Sequence, residues 1–410
     1  MRRIETVVIG AGQAGLSVSH ELAAAGLEHV VLERGKVAQR WRDRWDGFHL
    51  VLPNCSIRLA GQGYGGSDPE GFLPRDGVVE LLADYAASFA SPIEDGVEVH
   101  ALQATDDGFR LDTTTGPLAA ERVIVATGGY QDDHRPAAVR SLPASVPVLA
   151  SSAYRRPNDL PETGTVVVVG SGQSGCQIAE ELHDSGREVV LACGKAPWEP
   201  RRVGGRDIFW WLDGTPFMEM TLEDLPSPLA RLSPNPQVSG TRGGRDLNYR
   251  TLQDGGIRLA GHLMGEDHRS LRFAPDLADS VAFGDARYAD IRGLVEMSAR
   301  AKGLPAPEMP DPSPWHAEEL AELPLAEVGA VVVAAGYRPT YRSWIDIPVA
   351  FDAMGFPLQK DGTSDVVPHL HFAGVPFQRT RTSATLCGAG ADATALVDAI
   401  AQRDPVGVIL

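Results

Sequence analysis

Two stretches of this chain run β-branched residues into a glycine turn. They read VVIGAGQAGL at 7–16 and VVVVGSGQSGC at 166–176. A strand that breaks into G-x-G-x-x-G and continues as a helix opens a βαβ unit that can hold one dinucleotide. Two such openings confine the chain to an α/β fold with two Rossmann-like domains. In the first loop, Gly10 permits the tight turn, Gly12 lets a pyrophosphate approach the backbone, and Gly15 lets helix and strand pack closely. Gly170, Gly172 and Gly175 repeat the pattern. The helix that follows each loop aims free N–H groups and a positive dipole end at phosphate.

The surrounding residues extend the pattern. Residues 4–9 predict a strand, 13–25 a helix and 29–32 a second strand. Residues 77–90 carry apolar positions at helical spacing, and 97–125 predict an antiparallel meander of three strands. Residues 128–164 are rich in Pro, Ser and Asp and predict a crossing between domains. The βαβ pattern then restarts, with a helix at 173–184 and a strand at 188–192. Residues 328–336 predict another buried strand. The final segment, 369–400, reads as strand, loop and a helix from near Asp392. This order implies a nested layout: 1–145 and 340–410 form the first domain, and 146–339 is inserted into it.

Local chemistry distinguishes the two sites. Glu33 ends the second strand, eighteen residues past Gly15, where a carboxylate accepts hydrogen bonds from a ribose. The matching position after Gly175 is Cys193, followed by Lys195, Arg201 and Arg202. With no acid there to repel a 2′-phosphate, those cations favour NADPH over NADH. The expectation is FAD held at the first site and NADPH exchanging at the second.

Composition removes several other classes. The chain has 410 residues, 43% hydrophobic and 22% charged, with a formal net charge of −17. That field repels nucleic acid and anionic membranes, so neither is an expected partner. No apolar run approaches the ~20 residues that span a bilayer, and no signal peptide is visible. The four cysteines (Cys55, Cys176, Cys193, Cys387) form no CxxC, which disfavours a zinc ribbon or a local redox disulfide and fits a cytoplasmic setting. His49, His100 and His183 have no metal-ligand spacing, so no metal is expected.

With these residues placed, the chain resembles the two-dinucleotide-binding flavoproteins. More closely, it resembles the flavin-containing monooxygenase-like, class B group. The likeness covers nearly the whole chain. It rests on GAGQAG and GSGQSG, each with a loop glutamine (Gln13, Gln173). It also rests on VIVATGG at 123–129, VVVAAGYRP at 331–339, RWRDRWDGF at 40–48 and HFAGV…SATLCGAGADA within 371–393. The resemblance implies flavin contacts from Ala14, Arg34, Arg40, Trp41, Val99, Ala126, Thr127 and Gly128. From the C-terminal segment it adds Gly374, Val375, Leu386 and Asp392. Ser174, Ala335 and Gly336 would contact the second nucleotide. Asn54 would donate a hydrogen bond to the flavin edge, although turn capping after Pro53 is an alternative role for it. The last helix, opening near Gly390 and Asp392, would aim its N-terminus at the flavin.

Two positions depart from the family pattern. Ala150, in VLASSAYRRP, stands where class B enzymes have the His of their fingerprint. Val375 stands where many relatives have an Asp. The resemblance implies that NADPH reduces FAD and that O2 adds to give a C4a-hydroperoxide. One oxygen atom then passes to a small organic substrate at N, S or a carbonyl. A flavin-dependent NADPH reductase or oxidase, and a non-catalytic nucleotide sensor, stay open as alternatives. Phe209, Trp210, Trp211 and Phe217 line either a substrate pocket or a core. Relatives are often dimers, which makes a homodimer an expectation from resemblance alone.

Overall fold

The computed structural model describes residues 1–316 and 319–403. The last residues of the expected C-terminal segment, 404–410, lie outside them.

Valine-rich strands dominate the two main sheets because a parallel strand buries both of its faces. In the first, Arg2–Ile9 lies between His29–Glu33 and Gly116–Val125, parallel to both. Val7 therefore sits between Val30 and Val123, and Val8 between Val31 and Ile124. Ile93–Asp95 extends one side. Leu370–Phe372 joins the other side, parallel to Gly116–Val125, and carries two short antiparallel strands, Gln359–Lys360 and Thr363–Ser364. This sheet therefore combines strands from both ends of the chain. The expected meander forms as Val99–Thr105, Gly108–Thr113 and Gly116–Val125. Its third strand has two roles, closing the meander and running beside the first strand.

The second sheet is parallel throughout, in the order Val148–Ala150, Val328–Val333, Thr165–Val169, Val189–Ala192, Arg258–Ala260. Every strand in it comes from between residues 148 and 333, so one α/β unit interrupts the other. The outgoing and returning chain pair where they cross, Asp132–Asp133 against Tyr337–Arg338.

The helices after the loops are Gln13–Ala24 and Gln173–Asp184. The predicted 77–90 helix spans Arg75–Ser88. The last helix begins earlier than expected, at Ala389, and packs on the Gln13–Ala24 helix. A 25-residue helix, Leu277–Ala301, has no counterpart in the sequence reading. Its buried seam includes Ser280, Gly284, Ser298 and Ala299, so small residues dilute the apolar periodicity. The small residues permit close approach. A Cβ on Gly284 would lie 2.9 Å from Trp198 Cδ1. Trp198 in turn stacks on Tyr288 of the same helix, with ring centroids 4.3 Å apart.

Candidate active site

Both glycine loops open into one cleft of about 1090 Å³. Each fingerprint glycine is required for a different reason. Gly10 and Gly170 have φ of +109° and +103°, and a Cβ on either would press a backbone carbonyl, that of Ala126 or Ala334. A Cβ on Gly15 or Gly175 would collide with the carbonyl oxygen of Gly10 or Gly170. Gly12 has nothing within 4 Å of a Cβ position, and Gly172 has only Pro234 Cβ at 3.6 Å. The second glycines therefore leave open space where phosphate must approach.

Each loop also leads into an uncapped helix. The Gln13–Ala24 and Gln173–Asp184 helices have no side-chain cap and no acid in the first turn. Their leading N–H groups and dipoles face an anion site without competition. The residues present thus fit two bound dinucleotides.

The expected residues distribute as follows. Gly10, Gly12, Gln13, Ala14, Glu33, Arg34, Arg40 and Trp41 line the cleft. Val99, Ala126, Thr127, Gly128, Gly374 and Leu386 line it as well. So do Gly170, Gly172, Gln173, Ser174, Lys195, Ala335 and Gly336 from the second unit. Gly15 and Gly175 lie beneath the loops, where only their packing role applies.

Hydrogen bonds fix several of these groups. The Glu33 carboxylate is buried and accepts from the Ala11 and Gly35 amides at 2.8 and 2.9 Å. It thereby ties the loop to the end of the second strand. Gln13 donates to the Ala384 carbonyl (3.0 Å) and accepts from Trp41 Nε1 (2.9 Å). That bridge joins the first loop, the tryptophan segment and the C-terminal segment. Gln173 donates to the Pro236 carbonyl at 2.8 Å, an equivalent tie in the second unit. Arg40 donates to the Tyr130 carbonyl (2.7 Å) and lies over the Tyr337 ring.

Five expectations need correction. Arg201 is buried under the cleft wall, paired with Asp207 at 2.5 Å and set between the rings of Phe72 and Phe209. It also donates to the Val51 carbonyl at 2.8 Å, so it holds segments together and offers no charge to a phosphate. Arg202 faces Glu70 at 3.5 Å and does not line the cleft. Asn54 is buried away from the cleft. It donates to the Asp68 carbonyl and accepts from the Leu73 amide, both at 2.8 Å, and so clamps the 68–73 turn. Its neighbours Val51 and Leu52 line the cleft instead. Val375 packs into the core of the first sheet, leaving Gly374, Pro376 and Phe377 at the surface of the cleft. Asp392 is buried in the last helix, 3.7 Å from Arg379, and burial pushes its carboxyl up to about 6. Leu386 and Cys387, just ahead of that helix, line the cleft in its place.

The aromatic cluster divides between the two roles. Phe209 and Phe217 line the cleft, whereas Trp211 belongs to a core with Val203, Ile208 and Tyr288. Trp210 is half-buried, with Arg206 over its ring. Ala150 is half-buried outside the cleft, and the adjacent Ser151 lines it.

Sequence reasoning missed two cleft residues in particular. Glu199 borders the cleft but is almost wholly buried, and its Oε2 has no hydrogen-bond partner among the described residues. Desolvation pushes its carboxyl up to about 8, against the opposing pull of Arg201 and Arg381. Nothing in the local pattern around Glu199 marks it. Arg381 stacks on Phe217 at 4.1 Å and lines the same wall. All four cysteines are free, and burial raises the thiols of Cys176, Cys193 and Cys387.

A sequence profile described as pyridine nucleotide-disulphide oxidoreductase matches residues 7–213, half of the chain. The chain belongs to that family. Along almost its full length it is similar to an uncharacterized CzcO-like oxidoreductase from Geobacillus kaustophilus, at 30% identity over 97% of this chain and 98% of the relative. It is 31% identical to the indole-3-pyruvate monooxygenase YUCCA4 of Oryza sativa subsp. japonica, over half of each chain. The fold is shared with a mutant flavin monooxygenase from Stenotrophomonas maltophilia, with a TM-score of 0.69 at 19% identity over 98% of this chain and 99% of that one. As a member of this family the protein is a flavoprotein oxidoreductase, with two dinucleotide-binding domains, one inserted into the other. Among the described residues, no helix is long and apolar enough to cross a membrane.

Proposed function

We propose that this protein is an FAD-dependent, NADPH-consuming monooxygenase of the cytoplasm. In this reading it transfers one oxygen atom from O2 to a small organic substrate at N, S or a carbonyl. One observation carries the reading: both phosphate cradles open into a single cleft that no cysteine pair borders. Electrons reaching a flavin there have O2 or a small molecule as their outlet. The likeness to a named monooxygenase relative supports the same direction. FAD held at the first loop would supply the two-electron redox chemistry that links NADPH to O2.

The chain's own residues orient and enclose. The first glycine loop and Glu33 would hold the FAD pyrophosphate and ribose, and the second loop the pyrophosphate of NADPH. Gln13 fixes Trp41 against the C-terminal segment and would help to exclude water on that side of the cleft. Phe209, Phe217 and Arg381 would form the substrate wall. The residues of the pyridine-nucleotide unit would be 146–339, within a flavin unit of 1–145 and 340–410.

The second reading, a reductase or oxidase without oxygenation, is favoured by Ala150 at the fingerprint position. Anaerobic stopped-flow absorbance separates the two. NADPH should bleach the bound flavin, and O2 should then yield a transient unlike either reduced or oxidised flavin, discharged by a substrate with matching product. Return to oxidised flavin with hydrogen peroxide alone, across a panel of amines, sulfides and ketones, would support the second reading. A flavin that NADPH cannot bleach would exclude both.

A further inference from the structure

The corrections to Arg201 and Arg202 leave one of the three expected cations, Lys195, in the cleft. It follows the strand Val189–Ala192, is exposed, and makes no hydrogen bond or ion pair with the described residues. The next strand of the same sheet, Arg258–Ala260, brings up a second group. His262 lines the cleft beside Lys195, and its Nε2 edge lies against Gly194, where a Cβ would be 3.0 Å away.

The opposite edge of the ring is fixed. Nδ1 lies 2.6 Å from Asp276 Oδ2, and the His262 amide donates to Asp276 Oδ1 at 3.0 Å. Asp276 itself stands at the head of the long Leu277–Ala301 helix. With Nδ1 held by a carboxylate, Nε2 is the edge left for a ligand. Gly194 is tied in turn to the second glycine loop: its amide donates to Ser171 Oγ at 2.8 Å, and its carbonyl accepts from Tyr249. The Lys195–His262 pair is thus set at a fixed distance from the pyrophosphate cradle, at the strand end where an adenosine ribose lies in such folds.

We propose that His262, positioned by Asp276, and Lys195 together read the 2′-phosphate of NADPH. The proposal deepens the NADPH part of the function above and rests on it. Asp276 acts from behind the ring, fixing its orientation through Nδ1 and the His262 amide. Asp276 is a positioning residue.

Fragment binding tests this without turnover. Binding of adenosine 2′,5′-bisphosphate and of 5′-AMP to the FAD-loaded protein should be measured by titration calorimetry. The bisphosphate should bind more tightly than AMP. His262→Ala and Lys195→Ala should each weaken the bisphosphate about tenfold and leave AMP unchanged. His262→Arg should retain most of the preference, Asp276→Asn should reduce it in part, and Arg202→Ala should leave it intact. Equal binding of the two fragments to the parent protein, or an H262A variant that keeps the preference, would overturn the proposal. So would equal losses for AMP and bisphosphate. A protein that shows the expected fragment pattern yet never oxygenates would leave this site standing and remove only the oxygenase reading.

Discussion

Gly12 and Gly15 lie three residues apart and fail differently when given a side chain. Gly12 has an ordinary φ of −86° and open space where its Cβ would lie. Gly12→Val should therefore leave the apoprotein within about 0.5 kcal/mol of its parent while abolishing flavin retention. Gly15→Ala should cost the apoprotein about 1–3 kcal/mol, because its Cβ meets a backbone carbonyl that cannot step aside. Urea denaturation of flavin-free protein, set beside the flavin absorbance of the purified holoprotein, checks both. Glu199 gives a prediction in pH. Its folded proton affinity is raised, so its contribution to stability is fully present below about pH 4.5 and is lost as pH rises through about 8. Glu199→Gln should remove that slope and stabilise the protein at pH 9 relative to the parent, on the order of 2–4 kcal/mol. Equal responses of parent and variant between pH 6 and pH 9 would show that the buried carboxyl is not the cause. At this scale the glycines were legible, because a fingerprint position is defined by local backbone need. The arginines were not. Whether Arg201 meets a phosphate or Asp207 depends on a neighbour six residues away and on rings from elsewhere in the chain.

Among the elements, the longer central parallel strands were read within a few residues because burial on both faces writes an uninterrupted Val/Ile run into the sequence, whereas the three-residue strands Ile93–Asp95, Val148–Ala150 and Arg258–Ala260 were not. The Leu277–Ala301 helix went unseen for the converse reason. Ser280, Gly284, Ser298 and Ala299 interrupt the larger Leu277, Val281, Tyr288, Ile291 and Val295 along its seam and weaken the apolar period. Gly284→Val should expose that dependence, since the added atoms must displace Trp198 or the Ala196 carbonyl. A loss of about 1–3 kcal/mol is expected, with a changed tryptophan emission as the Trp198–Tyr288 stack opens. The final helix shows a third case. Its presence was expected from near Gly390 and Asp392, but it starts at Ala389 and Asp392 turns inward.

The whole molecule depends on how two α/β units share one cleft, and there the sequence was informative about order and silent about contact. Nothing in the local pattern announced the seam at Asp46 and Gly47. The Asp46 amide donates to the Arg155 carbonyl at 2.8 Å, and its carboxylate meets Arg75 and Arg156 at 2.6 and 3.2 Å. Glu181, bonded to Tyr154 at 3.0 Å, packs directly on Gly47. Exposed ion pairs of this kind add only about 0–1 kcal/mol each, so Asp46→Ala should barely change stability. It should instead slow flavin bleaching by NADPH severalfold at unchanged flavin content, because the two nucleotide sites lose part of their alignment. Stopped-flow rates with parent and variant at saturating NADPH check this, and an unchanged rate would assign the seam a purely structural role.

The pairing of Gly116–Val125 with Leu370–Phe372 also has a consequence for how the protein is made. The first loop emerges from the ribosome early, yet the strand and helix that complete its sheet and cover it are translated only after the whole inserted unit. At roughly 5–20 residues per second, the nascent flavin site waits on the order of tens of seconds, its apolar flank uncovered. The inserted unit has all its strands by Val333 and can settle first. The order of folding would then be the reverse of the order of the loops along the chain.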